Sequence, residues 1–452
     1  MLYYLLRILF RIANAFFFRT LQVKGAENIP DNGPLFFVAN HPSAFMDPIV
    51  IATLTKRRLF FIAKGAIFQT RFAKWILPKF NIIPIYRTDE TPGQGHKNKD
   101  VFKQCYRHLA NNGCILIFPE GLSLTERKIK KIQSGTARIC FGAEAENNFK
   151  LNIKIVAVGL NFSDPHKFQS DLFVNIDQPI LVSDYYELYK QDSFKAAHAL
   201  TDEIRKRIEA QVVAIQDADV DKLVANIELI YKAQLLRDFG HDPGQLEGDF
   251  KTTRAISESV HYFLEHDPAR VHKTKDQIND YLDNLERLKL NDNLIKGVER
   301  KSPVFDAIIS VIYLVIGFPL FLFGFINNYL PFRIPFWISK PLSKRPEFFG
   351  SIALTVGTFA FLIFYSVQIW LVHKFFHNGM LTFGYAVLLP VSGFFAYYYH
   401  KRFTNIRGSW TIFSMFYKKT NLITSLINKR QLIIEELEKG KNKFLAATSS
   451  NS

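Results

Sequence analysis

The stretch Leu35-Phe36-Phe37-Val38-Ala39-Asn40-His41-Pro42-Ser43-Ala44-Phe45-Met46-Asp47-Pro48 runs from an unbroken apolar segment into a histidine and then an aspartate. The apolar part reads as a strand buried on both faces, because such a strand has no polar alternation. His41 then falls at the C-terminal edge of a sheet, where open α/β sheets bind ligands. Asp47 precedes a proline, which disfavours the α region, so 41–47 is expected to be a turn returning the carboxylate to the imidazole. A carboxylate on one ring nitrogen would fix the tautomer, leaving the other nitrogen to take a proton from an alcohol. The competing reading makes Asp47 a helix N-cap with Pro48 at the first helical position.

Working outward, short apolar runs recur at Leu35–Val38, Leu59–Ile62, Ile82–Ile83, Cys114–Phe118 and Lys154–Val158, and amphipathic stretches near 98–112 and 133–146 lie between them. This alternation implies an α/β layer structure with a largely buried sheet. Two of the strands end in chemistry-bearing residues. Ile82-Ile83-Pro84-Ile85-Tyr86-Arg87 presents a planar cation suited to bidentate phosphate binding, although a lone arginine after a strand is usually a solvated end. Phe118-Pro119-Glu120-Gly121 places a carboxylate at a strand end, followed by a residue that permits a sharp turn. Glu120 is expected to hydrogen-bond an acceptor hydroxyl or to hold Arg87. The run Glu126-Arg127-Lys128-Ile129-Lys130-Lys131 reads first as a solvated face, and near such a site it would draw in anionic substrate or headgroups. In Ile155-Val156-Ala157-Val158-Gly159-Leu160-Asn161 the small residues would let backbone or ligand approach closely, with packing the better account of the apolar members.

These four blocks, in this order and spacing, resemble the glycerolphosphate acyltransferase superfamily, the glycerol-3-phosphate and lysophosphatidate acyltransferases. The resemblance covers about residues 20–210. It implies a membrane-bound enzyme that moves a fatty acyl group from acyl-CoA or acyl carrier protein to a glycerolipid hydroxyl, with no cofactor and no metal. By the resemblance His41 is the general base and Asp47 orients it. Arg87 binds acceptor phosphate, and Glu120 and Gly121 complete the acceptor pocket. Three departures stand out. Five residues separate His41 from Asp47, where four are commonest in the family, and this favours the fungal-type branch and glycerol-3-phosphate as acceptor. Leu122-Ser123 follows the glycine in place of Thr-Arg or Thr-Ser, so phosphate binding leans on Arg87, Arg127 and Lys128, with Ser123 counted in the acceptor site. Ala157 stands where proline is usual. Lysophosphatidate and a lyso-amino-lipid are the competing acceptors. A lipid-binding scaffold with a decayed site is the competing non-enzymatic reading, against which His41, Asp47, Arg87 and Glu120 are all intact. A soluble hydrolase would want a G-x-S-x-G elbow, which the sequence lacks.

Composition sets the compartment. With 57 Lys and Arg against 41 Asp and Glu, and 44 Phe, the chain suits an anionic membrane surface. Nucleic acid is the rival partner for that charge, and no motif supports it. Only three cysteines, with no C-x-x-C, argue against a disulfide scaffold. Residues 307–332, 348–372 and 379–399 contain no charged residue, and roughly 20 apolar residues cross the hydrocarbon core as a helix. The Gly317-Phe318-Pro319 step favours a re-entrant or in-plane element at 307–332, followed by a two-helix hairpin. Three full spans are the alternative. Basic loops place the catalytic domain of this integral membrane protein on the cytoplasmic face. At the N-terminus Arg7 and Arg11 share one helix face, which reads as an interfacial helix whose arginines reach lipid phosphates. The expected architecture is an amphipathic membrane-associated helix (1–20), an α/β acyltransferase domain (21–210), a soluble helical region (211–302), an α-helical membrane domain (303–400) and a basic cytoplasmic tail (401–452). Anchoring is the expected role of the membrane domain, and a homodimer is a further expectation for it.

Overall fold

A computed structural model describes residues 2–86, 93, 95–242, 244–298, 303–342, 345–418 and 420–449. Its strands are β1 (Thr20–Lys24), β2 (Leu35–Ala39), β3 (Leu59–Lys64), β4 (Ile82–Ile85), β5 (Cys114–Ile117), β6 (Lys154–Phe162), β7 (Asp171–Ile176) and β8 (Ile180–Leu181). Among the described residues they form one sheet in the order β1-β7-β6-β2-β5-β3-β4, with β8 paired to β6. β2, β5, β3, β4 and β6 run parallel, so their C-terminal ends share one edge. β7 and β8 are antiparallel to β6. The interleaved helices are α1 (Leu2–Phe17), α2 (Met46–Leu54), α3 (Arg71–Ile76), α4 (Asn98–Ala110), α5 (Gly135–Glu146), α6 (Tyr186–Gln191) and α7 (Ser193–Gln211).

Strand alternation divides the core into two faces. Phe36 and Val38 of β2 pack with Ile115, Ile155 and Ala157 against Leu109 of α4, Phe141 of α5 and Ile204 of α7. Leu35, Phe37 and Ala39 point the other way, with Leu116, Val156 and Val158, against Phe17, Met46, Val50 and Ile51. β2 is buried along its whole length, as its unbroken apolar sequence requires. Cys105, Cys114 and Cys140 are free and buried, serving as small core hydrophobes.

The N-terminal helix forms as expected, with Leu5, Ile8, Ile12 and Phe16 exposed on its outer face. One detail differs. Arg7 does not reach outward; its guanidinium donates to the carbonyl oxygens of Thr55 (3.1 Å) and Lys56 (2.7 Å) at the C-terminal end of α2. A helix C-terminus leaves carbonyls without intrahelical partners and carries negative partial charge, so it captures a nearby cation.

Among the described residues the remainder is mostly helical: α8 (Ala218–Asp238), α9 (Leu246–His266), α10 (Pro268–Arg287), α11 (Asp292–Val298), α12 (Pro303–Leu342), α13 (Glu347–Phe376), α14 (Gly379–Lys418) and α15 (Thr420–Ser449). Among the described residues three segments are long and apolar enough to cross a membrane: Ile309–Ser339, Glu347–Phe376 and Gly379–Thr404. The break expected at Pro319 does not occur. α12 is unbroken through it, and apolar helices of this kind tolerate proline because freed backbone groups find other partners. Nor is the C-terminal segment a tail. Arg430 of α15 is buried against Asp292 at 2.8 Å, and the Tyr281 hydroxyl donates to the same carboxylate at 2.8 Å. The expectation for 401–452 is a basic tail, whereas Ile423, Leu426 and Ile433 of α15 are buried.

The chain divides into two compact units, and the division is not linear. One comprises Met1–Gln216, Gly244–Phe250 and Ile338–Thr358; the other comprises Asp217–Pro243, Lys251–Trp337 and Phe359–Ser452. The α/β unit thus includes the start of an apolar helix assigned by sequence to the membrane domain. It also takes in Gly244–Phe250, tied to β1 through Lys24 on Glu247 and through the Gln22 side chain accepting from the Leu246 N–H.

Candidate active site

β2 ends at Ala39, and Asn40 and His41 follow at the sheet edge. Asn40 locks this exit. Its side chain donates to the Leu160 carbonyl (3.0 Å) and accepts from the Leu160 N–H (2.8 Å), continuing the pairing of β2 with β6 after the strand has ended. His41 leaves the sheet from a fixed position.

The chain then turns back. Met46 N–H donates to Ser43 O at 2.9 Å, and α2 starts at Met46. Asp47 therefore lies in the first helical turn, with Phe45 at the cap, so neither the extended conformation nor the N-cap expected for Asp47 is found. The helix start is compatible with Pro48 because its missing N–H would have no intrahelical partner there. The return of the carboxylate does occur: His41 Nδ1 lies 2.8 Å from Asp47 Oδ2, and the same oxygen accepts from the Ser43 N–H at 2.8 Å. Asp47 is 0% exposed, while the His41 side chain keeps 19%. Burial pushes the Asp47 carboxyl up; the His41 ring and the Ser43 N–H act against this. With Nδ1 facing the carboxylate, Nε2 is the nitrogen left to act on a substrate. The five-residue turn holds Ala44 at φ 40, in the left-handed region that L-residues seldom occupy.

β5 lies beside β2, so the segment after it reaches the same place. Phe118 stacks on the imidazole, with ring centroids 3.9 Å apart and planes at 12°. Gly121 adopts φ 69, making the turn that its position in Phe-Pro-Glu-Gly suggests. Glu120 is 7% exposed, and its Oε2 accepts from the Lys130 N–H at 2.9 Å. Burial raises its carboxyl above the usual range; the Lys130 N–H and the nearby His41 pull it down. Leu124 N–H donates to His41 O at 3.0 Å, and the Ser123 hydroxyl accepts from the Ala44 N–H at 2.8 Å. Ser123, expected among acceptor-binding residues, thus holds the histidine loop from one side.

The structure brings together His41, Asp47, Glu120, Gly121 and Ser123. Arg127 is half-buried, with its carbonyl accepting from the Ile215 N–H at 2.7 Å, and Lys128 is exposed. Arg87 lies outside the described residues. β4, which precedes it, stands three strands from β2, at roughly 5 Å per strand. Asn98 closes the end of β4 by bonding both the N–H and the carbonyl of Tyr86. Sequence reading missed Asn40, Phe118 and Lys130 as supports. The first two adjoin the motifs directly, so position could have flagged them. Lys130 acts through its main chain, which no residue type reveals. Among the described residues no group of three or more His, Cys, Asp or Glu could hold a metal ion.

Residues 20–161 match the family model described as Acyltransferase. Glycerol-3-phosphate O-acyltransferase 1 of Saccharomyces cerevisiae is 32% identical over 139 residues, covering 30% of this chain and 18% of its own length. Glycerol-3-phosphate O-acyltransferase 2 of the same yeast is 23% identical over 250 residues, covering 55% of this chain and 32% of its own length. The chain therefore spans about a fifth to a third of these curated relatives. A 1-acyl-sn-glycerophosphate acyltransferase from Thermotoga maritima aligns over 43% of this chain and 75% of its own, at 18% identity and a TM-score of 0.31.

Proposed function

We propose that the chain, whose residues 20–161 match the Acyltransferase family model, is a membrane-anchored enzyme of the fungal-type branch of the glycerolphosphate acyltransferase superfamily, and that it transfers a fatty acyl group from an acyl thioester to the hydroxyl of glycerol-3-phosphate. The observation that carries this reading is the 2.8 Å approach of His41 Nδ1 to the buried Asp47 carboxylate at the sheet's C-terminal edge. The names of the two yeast relatives and the five-residue spacing from His41 to Asp47 favour glycerol-3-phosphate as acceptor.

The chemistry is direct transfer. His41 Nε2 takes the acceptor hydroxyl proton as the oxygen attacks the thioester carbonyl. Asp47 stabilises the imidazolium that results. The tetrahedral intermediate collapses with cleavage of the C–S bond, and the imidazolium returns its proton to the departing thiolate of coenzyme A or acyl carrier protein. Phe118 excludes water from one face of the ring. Glu120 accepts a hydrogen bond from an acceptor hydroxyl or holds Arg87, and Arg87, Arg127 and Lys128 supply positive charge for the phosphate. No enzyme-bound acyl intermediate is needed. The three apolar helices anchor the chain, with the catalytic domain on the cytoplasmic face.

The test is to offer purified full-length protein labelled acyl-CoA or acyl carrier protein with glycerol-3-phosphate, and separately with lysophosphatidate, and to identify the lipid formed. A monoacyl product from glycerol-3-phosphate is expected. Consumption of lysophosphatidate alone would overturn the acceptor, and transfer to neither would overturn the reading.

A further inference from the structure

The turn between His41 and Asp47 is held from a second side by a helix far away in sequence. α13 contributes Glu347–Thr358 to the α/β unit. Ser351, 0% exposed, donates its hydroxyl to Ser43 O at 2.6 Å, and Ser351 Oγ accepts from the Met46 N–H at 3.3 Å. One hydroxyl therefore bridges both ends of the turn that returns Asp47 to His41. The surrounding packing is built for this approach. A Cβ on Gly350 would lie 1.8 Å from Pro165 O and 3.1 Å from the Met46 side chain, so only glycine lets the helix come so close. Phe348 meets Phe45 edge-on at 5.5 Å, and Leu354, 2% exposed, packs in the same core as Phe37, Met46 and Val50.

We propose that Ser351 is a positioning residue for acyl transfer: with Gly350 it lets the first turns of an apolar, membrane-length helix clamp the catalytic loop. The inference rests on the acyltransferase reading above. Its physical basis is strain. Ala44 at φ 40 persists only while its surroundings over-determine it. Two hydroxyls do so, Ser123 at the Ala44 N–H and Ser351 at Ser43 O and Met46 N–H. Without Ser351 the turn can relax, and the Ser43 N–H and Asp47 carboxylate move with it. Misplacement of a reacting group by an ångström costs up to about a hundredfold in rate. Ser351 bonds to the turn at Ser43 and Met46, so its loss should act on turnover and spare substrate affinity.

The experiment is Ser351→Ala in the full-length protein, read in two ways. In labelled acyl transfer, kcat should fall about tenfold, with KM for glycerol-3-phosphate and for the thioester within about twofold of wild type and an unchanged melting temperature. In hydrogen–deuterium exchange, the segment 41–47 should exchange about tenfold faster, with β2, β5 and β6 unaffected. Unchanged kcat in an active enzyme, or a loss that follows only the melting temperature, overturns the proposal. Unchanged exchange over 41–47 overturns it whatever the activity. Absence of transfer by the wild type, together with the exchange effect, would instead count against the acyltransferase reading alone.

Discussion

Histidine 41 and its two acidic neighbours differ in what each carboxylate must do. Asp47 has no exposure and faces the ring, so its value lies in countering charge that develops on the imidazole. His41→Ala should lower kcat by about a thousandfold with membrane association retained; near-normal transfer by purified variant would remove His41 from the chemistry. Glu120 is a carboxylate that burial has pushed upward. A folded-state value above the unfolded one means that the native protein binds the proton more tightly, so stability falls as pH rises from the ordinary carboxylate range through the raised value. Glu120→Gln keeps an acceptor for the Lys130 N–H and removes that fall. The variant should melt higher than wild type at about pH 8 and lose this advantage at about pH 4, while transfer weakens. An equal shift at both pH values would show that burial of charge is not what separates them. His41 and Asp47 were readable as a pair because seven contiguous residues hold both. The arrival of Glu120 and Ser123 at this loop was not, since it depends on β5 pairing beside β2, with Ala44 and Ser123 79 positions apart in sequence.

Elements followed their periodicity where local pattern and burial agree. The all-apolar runs became parallel strands, and the amphipathic stretches near 98–112 and 133–146 became α4 and α5. The small residues of β6 left a choice between ligand and backbone, and the fold answers it at Gly159. A Cβ there would lie 2.1 Å from Gln211 O, so the glycine admits the end of α7, whose carbonyl also accepts from the Asn161 side chain at 3.0 Å. Gly159→Ala should cost about 1–3 kcal/mol through overpacking, measured as a lower melting temperature. A neutral or stabilising result would mean that α7 yields without strain. Proline misled the reading of α12 because a rule for isolated helices weighs the lost hydrogen bond and the ring clash, while a long apolar helix can carry a proline when its freed backbone groups find other partners. Arg7 misled in a related way. Its helical face was right, but α2 offered it carbonyls before any lipid could.

At the scale of the molecule, the α/β unit is assembled from three separate stretches of chain. A fragment ending at residue 216 keeps every strand yet loses Leu354 from the core, the Phe250 ring against Phe173 at 5.5 Å and the Ser351 bridge. It should be expressed as a poorly soluble, protease-sensitive product, compared with full-length protein by limited proteolysis in the same detergent. A resistant fragment with full transfer activity would show that these additions are dispensable. Short-range pattern was enough to specify the α/β class, three membrane-length apolar runs and the residues of the histidine loop, though not that the first run is an unbroken helix, because periodicity, apolar run length and motif spacing all act within a few turns of chain. Long-range contact alone settled which partner each side chain met: Arg7 on α2, Ser123 and Ser351 on opposite sides of one strained turn, and Arg430 buried against Asp292. Such contacts arise when packing brings distant donors to backbone groups that must be satisfied once water is excluded, and no local pattern encodes which donor will arrive.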